Sequence, residues 1–331
     1  MCKLVAFPAA QQVLSFADGL LTLFTVRATA GASLVGRPLR EIFIQLPDAQ
    51  VRFVSIFRRK HRIDCRSETV IESGDEITVL TASSCANKVI EALSPYETAQ
   101  SIVLLNGDSL SGLVTEELEP SRSKRNIKIL EPTKDTAQRL SKRYASNRVT
   151  VSEVKANDTI ALAQEGVGQA DVVLALSSND EANIMSALLA KRLGAKRVIV
   201  LLENQAYSDL VQGTDIDVMV SPTQASLGEL LRHIRYGDVV NAQELYRGSS
   251  EALEIVAHGS KRSSKVVGKA LSEINFPQGV SVGALVRGEG EDAKILMAEP
   301  DLVVAAEDHL ILFIPNKKMI PRIEQLFAVD V

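Results

Sequence analysis

The sequence is poor in the residues that most often carry chemistry: among 331 residues it has three cysteines, four histidines and no tryptophan. Cys2, Cys65 and Cys85 share no CxxC spacing and lie near no paired histidine, which argues against a zinc site or a disulfide framework and fits a reducing compartment. No histidine has a carboxylate or a cysteine at triad or metal spacing, and the G-x-S-x-G, G-K-S/T and H-E-x-x-H motifs are absent. The chain is therefore expected to be neither an enzyme nor a metalloprotein.

Long apolar runs and an excess of positive charge are also missing. No apolar stretch approaches the ~20 residues that span a bilayer, and the short N-terminal apolar patch, interrupted by Pro8, is a poor secretory signal. The formal net charge is -4, which leaves no electrostatic footprint for nucleic acid. Two short basic runs, residues 58–62 and 122–125, are interpreted as solvated loops.

What the sequence does contain is an internal repeat. Hydrophobic residues make up 46% of the chain, enough for the cores of the two or three domains that its length predicts. Residues 34–93 and 266–326 carry similar segments in the same order, with Gly36 matching Gly268 at an offset of 232 and Asp75 matching Asp308 at an offset of 233. Each copy predicts an α/β module too small to bury much surface alone, so pairing with another copy is expected.

The segment between the repeats alternates apolar strand candidates with helical stretches. The strand candidates are residues 102–105, 127–130, 149–151, 172–176, 198–202 and 218–221. This alternation predicts an α/β fold with a doubly wound, Rossmann-like parallel sheet, flanked by the two small α/β modules. Capping boxes at residues 178–181 (SNDE) and 221–224 (SPTQ) predict two of the helix starts.

The turn after the first of these strands, LLNGDSLSG at residues 104–112, lies where a dinucleotide-binding fold carries its G-x-G-x-x-G sequence. Two registers compete. The three glycine positions hold Asn106, Asp108 and Ser111 in the first register, and Gly107, Ser109 and Gly112 in the second. In the first, a carboxylate would face a pyrophosphate, a repulsion of ~1 kcal/mol in water and ~4 kcal/mol at an effective dielectric near 20, and binding would be poor. In the second, only a serine Cβ narrows the approach, and binding would be weakened.

An acidic residue is the next feature of a dinucleotide site, about 20 residues further on, where it accepts from the ribose hydroxyls. Glu131 directly follows the strand candidate 127–130 and takes that place. Because 41 of the 331 residues are acidic, this match alone does not distinguish a nucleotide site from a Rossmann sheet retained as a scaffold.

Residues 177–248, beginning SSNDEANIMSALLAKRLG, and residues 251–271, EALEIVAHGSKRSSKVVGKAL, resemble the second half of the TrkA family, the regulatory subunits of bacterial Trk potassium-uptake systems. Residues 3–98 resemble that family's first C-terminal lobe. The resemblance implies RCK-type units, each a Rossmann-like lobe followed by a small C-terminal lobe, with the first Rossmann-like lobe absent here. The implied domains are residues 1–98 (first C-terminal lobe with a remnant of the preceding linker), 99–236 (Rossmann-like lobe), 237–248 (linker) and 249–331 (second C-terminal lobe).

The resemblance also implies that the Rossmann-like lobe binds NAD(H) or ATP and ADP, at a turn whose glycines are eroded here. The cofactor-binding residues that it implies are Gly107, Ser109, Gly112, Glu131, Glu153, Asn179 and Asp180. The family's Gly-Asp after the third strand is Ser152-Glu153 in this chain, which keeps the acid but loses the glycine. Asn179 and Asp180 have a second interpretation, as part of a helix start that is capped by Ser178 and favoured by acids at the positive end of the helix dipole.

The function implied is that of a non-enzymatic regulatory subunit, cytoplasmic and peripheral on the inner face of the plasma membrane, that gates or assembles with a TrkH- or TrkG-type potassium pore protein. A homo-oligomer, or a ring formed with a full-length TrkA relative, is implied as well. Two alternatives stay open. One is a decayed or truncated relative without ligand sensing, which would expose apolar side chains such as Phe43, Phe53 and Phe57. The other is a nicotinamide-dependent oxidoreductase that shares only the sheet.

Overall fold

The structure is a computed structural model that describes residues 1–59, 61–119, 125–144, 146–211, 214–223, 239–245 and 250–329; for residues 205, 208, 209 and 291 it describes the backbone only. The chain divides into two compact units. Met1–Pro8 and Glu97–Thr223 form the first unit, here called the doubly wound lobe, and Ala9–Tyr96 with Gln224–Val331 form the second, here called the repeat unit. The first helix, α1 (Cys2–Ala6), belongs to the doubly wound lobe.

The first repeat, residues 9–96, is built on a five-stranded antiparallel sheet with the strand order β1-β2-β5-β3-β4. Its strands are β1 (Ala10–Phe16), β2 (Leu21–Arg27), β3 (Val51–Arg58), β4 (His61–Ile63) and β5 (Glu76–Ala82), and its helices are α2 (Ile42–Gln45) and α3 (Ala86–Leu93). The inner strands β2 and β5 consist largely of aliphatic residues and threonine, which suit a buried pleated surface. The short strand β4 is left at one edge of the sheet.

The doubly wound lobe has a six-stranded parallel sheet with the order β11-β10-β9-β6-β7-β8. Its strands are β6 (Ser101–Leu105), β7 (Asn126–Glu131), β8 (Val149–Glu153), β9 (Val172–Ala175), β10 (Arg197–Leu201) and β11 (Val218–Val220). Its helices are α4 (Ser109–Leu118), α5 (Lys134–Tyr144), α6 (Thr159–Gln164), α7 (Asp180–Leu193) and α8 (Gln205–Val211). The predicted fold class is confirmed. The strand boundaries agree because buried parallel strands are continuous apolar runs that stand out between polar loops.

The second repeat is built on a sheet with the order β12-β13-β16-β14-β15, which matches the first repeat strand for strand. Its strands are β12 (Val239–Glu244), β13 (Glu251–Ala257), β14 (Ser281–Arg287), β15 (Lys294–Met297) and β16 (Asp308–Ile314), and a helix over Ile320–Phe327 follows them. Even the irregularities recur: the first strand pair has a register shift between Ala10 and Gln12 in one repeat and between Val239 and Asn241 in the other. The predicted repeat is confirmed and is longer than the sequence pattern indicated.

Segments that the sequence assigned to linkers carry strands of these sheets. The expected linker remnant near the start of the chain includes β1, and residues 237–248 include β12. Gln12 Nε2 donates to the carbonyl of Glu244 at 2.8 Å, and Asn241 Nδ2 donates to the carbonyl of Ser15 at 3.2 Å. Their polar side chains, which favour a loop when the sequence is considered alone, are used for contacts between the two repeats.

The two repeats share a hydrophobic core. Buried residues of the first repeat, among them Phe16 and Leu80, pack in one cluster with buried residues of the second, among them Ile311 and Phe313. The pairing of modules that their small size predicts therefore takes place within one chain. Burial of this kind is worth about 25 cal/mol per Å² of apolar surface, so neither sheet needs another partner for this face.

A truncated chain is expected to expose three phenylalanine side chains of the first repeat, and these three differ in their exposed fraction. Phe43, on α2, is 52% exposed, whereas Phe53 and Phe57, on β3, are half-buried. Only one of the three therefore presents most of its ring to solvent.

Candidate functional site

The candidate nucleotide turn lies at the carboxyl end of β6, next to the point where the strand order of the sheet reverses. β6 pairs with β7 on one side and with β9 on the other. The connections that leave these strands diverge to opposite faces of the sheet, which opens a crevice at their carboxyl ends. Doubly wound folds bind their ligands in this crevice, so the turn occupies the expected place for a site.

The backbone of the turn takes up conformations that favour glycine at two residues that are not glycine. Asn106 has a φ of 54°, and Asp108 has a φ of 46° with a ψ of −119°. Asparagine tolerates the left-handed region well, but the conformation of Asp108 is one that costs a side chain about 1–3 kcal/mol. Asp108 is the N-cap residue of α4, yet its carboxylate does not cap the helix and instead forms an ion pair with Arg139 of α5.

Glu131, at the end of β7, is bound to this turn. Its side chain is buried, with the residue only 1% exposed, and its Oε1 accepts from the backbone N–H of Asp108 at 3.0 Å and from the Ser111 hydroxyl at 3.1 Å. Burial raises the pKa of Glu131, because the charged form loses its hydration, and the two hydrogen bonds oppose that rise. The carboxylate that would accept from a ribose in a dinucleotide site is therefore held by the protein's own donors.

Gly107, Ser109 and Gly112, the residues of the second register, have no positive φ. A Cβ at Gly107 would lie 2.8 Å from the Cβ of Leu176, and a Cβ at Gly112 would lie 2.8 Å from the ring of Tyr144. Ser109 is the exposed first residue of α4. The two glycines therefore permit close packing inside the lobe, and neither is needed for a left-handed backbone.

Glu153 is the predicted site residue nearest to Glu131 in the sheet. It ends β8, where it is the in-register partner of Glu131 on β7, and its side chain is exposed. The two carboxylates thus occupy equivalent positions at the same edge of the sheet, one buried in the turn and the other facing solvent.

Asn179 and Asp180, at the end of β9, are engaged in local structure. Asn179 Oδ1 accepts from the backbone N–H of Ala182 at 2.6 Å, so Asn179 caps α7. The predicted cap, Ser178, is wrong by one residue, because asparagine is itself a strong N-cap and Asn179 caps the N–H of Ala182, three residues on. Asp180 is buried, and its two oxygens accept from the backbone N–H groups of Glu203 at 3.0 Å and Asn204 at 2.9 Å.

The structure thus brings some of the predicted residues together and keeps others apart. Glu131 contacts the turn directly, whereas within the described part of the chain no hydrogen bond or ion pair joins the turn to Asn179 or Asp180. Sequence reasoning missed Arg139, the cation that pairs with Asp108. The sequence gives little indication of this role, because Arg139 is one of several basic residues on the exposed face of α5.

The second predicted capping box falls at the edge of what the structure describes. Residues 222 and 223 are helical, and the residues that follow, 224–238, lie outside the described part of the chain.

A pyrophosphate needs free N–H donors and small residues at this turn. Here the N–H of Asp108 and the hydroxyl of Ser111 already donate to Glu131, and Asp108 contributes a carboxylate of its own. A second anion about 4 Å from that carboxylate alone would be repelled by ~4 kcal/mol at an effective dielectric near 20, and the ion pair with Arg139 reduces this repulsion. In this conformation Glu131 therefore occupies two of the donors that a pyrophosphate would use at this turn.

Comparison with protein families assigns both parts of the fold. The model of the TrkA-N domain matches residues 102–222, and the model of the TrkA-C domain matches residues 23–94 and 261–327. The fold is that of a Rossmann-like lobe with RCK-type C-terminal lobes. The Trk system potassium uptake protein TrkA of Halomonas elongata is 40% identical over 328 residues, which cover 99% of this chain and 70% of the relative. The protein of the same name from Vibrio alginolyticus is 39% identical over 326 residues, covering 98% of this chain and 69% of the relative.

The chain belongs to the TrkA family. The relatives carry the name of a potassium uptake system and not that of an enzyme, in agreement with the non-enzymatic role that the sequence predicts. No helix in the described residues combines the length and the apolar character that crossing a bilayer requires.

Solved structures share the fold at low sequence identity. The crystal structure of the GsuK RCK domain has a TM-score of 0.50 and 16% identity, covering 99% of this chain and 68% of that one. The GsuK channel bound to NAD has a TM-score of 0.50 and 16% identity, covering 99% of this chain and 57% of that one. At this identity the likeness extends to the fold alone.

Proposed function

We propose that this chain is a regulatory subunit of a Trk-type potassium-uptake system, acting at the cytoplasmic face of the inner membrane on a TrkH- or TrkG-type pore protein. It does so as a homo-oligomer or in a ring with a full-length TrkA relative. The observation that carries the proposal is the 40% identity to a potassium uptake protein over 99% of this chain. Chemistry is not required for this role, because a subunit regulates a pore by binding its alternative states unequally.

The experiment is copurification from membranes, with the tagged chain expressed beside a Trk pore protein and, in a parallel strain, beside a full-length TrkA relative. We expect the pore protein to be recovered with the chain in at least one strain. Potassium-limited growth of cells that lack their own TrkA relative provides the functional readout. Recovery of the chain alone from the soluble fraction of both strains, with no effect on growth, would contradict the proposal.

We further propose that nucleotide binding in the doubly wound lobe is weakened. The family resemblance favours NAD(H) or an adenine nucleotide as the ligand class. The positive φ values support the first register, in which Asn106 and Asp108 replace glycines, and Ser111 then replaces the third. Asp108 is the main obstacle in this register, since it adds both a backbone strain and a negative charge where a phosphate would bind.

Calorimetric titration with NADH, NAD, ATP and ADP tests this proposal. The first register predicts little binding by the natural chain and recovery in the Asp108→Gly/Ser111→Gly variant. Ser109→Gly is the matched control, since it restores a glycine only in the second register. Saturable binding by the natural chain, strengthened by Ser109→Gly alone, would support the second register and a ligand-responsive subunit.

The other residues proposed to bind the nucleotide are Glu131, Glu153, Asn179 and Asp180, and their contacts support this role to different degrees. Glu131 and Glu153 lie at the ends of adjacent strands, where a dinucleotide fold binds the hydroxyls of its ligand. Glu153 is exposed and could accept from such a hydroxyl, whereas Glu131 is buried and already accepts from the turn. The contacts of Asn179 and Asp180 favour their structural interpretation, because capping and loop hydrogen bonds already account for both side chains.

A further inference from the structure

Each repeat contains a β-hairpin that begins at an equivalent arginine held in the same way. Arg58, at the end of β3, donates from Nε and Nη2 to the two carboxylate oxygens of Asp75 at 2.9 and 2.8 Å. Arg287, at the end of β14, donates from the same two atoms to Asp308, both at 2.8 Å. Each arginine also donates to a backbone carbonyl, that of Val70 or Val303. The two hairpins are thus fixed to their sheets by the same frame.

Beyond this frame, the charges of the two hairpins are opposite. The first hairpin continues with Arg59, Lys60, His61 and Arg62, a formal charge of +3 with histidine neutral, and is here called the basic hairpin. The second continues with Gly288, Glu289, Gly290, Glu291 and Asp292, a formal charge of −3, and is here called the acidic hairpin. The charge reversal thus stands on two hairpins whose sheets have the same strand order.

These charges are available to another molecule. Arg59 and Arg62 in the basic hairpin, and Glu289 and Asp292 in the acidic hairpin, are exposed. Across the described residues, none of these four side chains forms an ion pair, and no ion pair links the two hairpins of the same chain. The hairpins also lie at sheet edges, since β4 and β15 are edge strands. Edge positions of this kind are accessible to a neighbouring chain.

We propose that the basic hairpin of one copy binds the acidic hairpin of a second copy of this chain. The partner's chemistry is given by the chain itself, because the equal and opposite charge stands at the matching place of the other repeat. A contact between two different surfaces of the same chain is heterologous, so it leaves one basic and one acidic hairpin free for further copies. The inference deepens the homo-oligomer of the proposed function and rests on it.

The contact between the hairpins is expected to determine how neighbouring copies are oriented and to weaken as the salt concentration rises. Exposed ion pairs contribute about 0–1 kcal/mol each, so pairs of Arg59 and Arg62 with Glu289 and Asp292 bias an arrangement but do not hold an assembly together alone. Screening at high ionic strength shortens the reach of the interaction to about 3 Å at 1 M salt. The basic run is then more than a solvated loop, because its counterpart in the other repeat is complementary to it.

Sedimentation velocity of the full chain at low and high salt, with charge-reversal variants, tests the inference. Arg59→Glu/Arg62→Glu and Glu289→Arg/Asp292→Arg are each expected to weaken self-association about tenfold at low salt, which corresponds to about 1.4 kcal/mol. Mixing these two variants should restore association, since each then offers the charge that the other lacks. The variant that carries all four changes should also associate with itself.

Lys318→Glu/Arg322→Glu is the matched control for Arg59→Glu/Arg62→Glu, because it makes the same change in net charge at exposed residues of the same unit. Weakening by this control as large as that of the hairpin variants would overturn the inference, and so would a failure of the mixture to recover. If the natural chain assembles and hairpin reversal has no effect, the hairpin contact fails while the oligomer of the proposed function stands. If the natural chain is monomeric throughout the concentration range, the hairpin contact and the homo-oligomer both fail, while the ring with a full-length TrkA relative is decided by the copurification.

Discussion

Glu254 and His309 are neighbours on adjacent strands of the second repeat, with Glu254 Oε1 2.7 Å from His309 Nδ1. The other oxygen of Glu254 accepts from the backbone N–H of Ala17, in the first repeat, at 3.0 Å. Glu254 is 3% exposed, and a buried carboxylate requires such partners to offset its lost hydration. One buried carboxylate therefore joins an ionisable ring of one repeat to the main chain of the other.

This arrangement predicts that the stability of the repeat unit depends on pH. The hydrogen bond to Glu254 raises the pKa of His309 above its ordinary 6.5, with Asp18 and Glu289 as further negative charges nearby. Because the folded state binds the proton more tightly, the stabilisation is fully present below pH 6.5 and is lost as the pH rises through the raised pKa. We expect the natural chain to exceed His309→Gln in unfolding free energy by about 1 kcal/mol at pH 6, and by less at pH 9.

Urea unfolding at several pH values measures this difference. His61→Gln is the control, since His61 is an exposed histidine. A gap between the natural chain and His309→Gln that does not change from pH 6 to pH 9 would show that the histidine acts through packing and not through its charge.

The buried aspartates at the base of the two hairpins predict a second, larger effect. Asp308 is fully buried and accepts from Arg287 and from the backbone N–H of Ala305 at 2.7 Å. Asp308→Ala removes three hydrogen bonds and leaves a guanidinium without its partner, for which we expect a loss of about 2–4 kcal/mol. Asp75→Ala also removes three hydrogen bonds, but it should cost less than Asp308→Ala, because Arg58 keeps its ion pair with Glu72.

Chemical denaturation monitors both variants, with the exposed Asp301→Ala as the control. Equal stabilities of Asp308→Ala and Asp301→Ala would mean that the frame of the hairpin is not maintained by this pair.

The sequence predicts the fold of this protein better than the state of its candidate site. Apolar runs predict the strands of the doubly wound lobe, because buried parallel strands consist of apolar residues. The matched spacing around Gly36 and Gly268, which both have a positive φ, predicts the repeat. The hydrogen bonds between Glu131 and the turn could not be predicted in this way, since they depend on a side-chain direction that no local pattern encodes. The partners of Asp180 were hidden for the same reason: the loop that donates to it lies 23 residues away in the chain.

The backbone at Asp108 predicts an unusual order of stability among substitutions. Its φ of 46° favours glycine, so Asp108→Gly relieves strain although it removes the exposed ion pair with Arg139. Asp108→Ala removes the same pair but keeps a Cβ in the strained conformation. We expect the glycine variant to be more stable than the alanine variant by about 1 kcal/mol, which differential scanning calorimetry would detect. Ser109→Gly against Ser109→Ala, one residue later in a helical conformation, should show the opposite order.

A close approach between the repeats at Gly283 predicts that their shared core does not tolerate a larger residue there. Gly283 lies at the register shift of β14, and a Cβ there would stand 2.5 Å from the ring of Phe313 and 2.8 Å from Leu80 Cδ2 of the first repeat. Neither ring nor methyl can retreat far in a packed core, so Gly283→Ala should cost about 1–3 kcal/mol. Ser281→Ala, at the exposed start of the same strand, is the matched control and should cost less than about 0.5 kcal/mol.

Hydrogen exchange on the same variant separates two causes. If the added methyl group forces the repeats apart, the amides of β5, which carries Leu80, should lose protection together with those of β14. Loss of protection confined to β14 would place the strain within the second sheet instead, and would mean that the repeats adjust to each other more freely than their shared core implies.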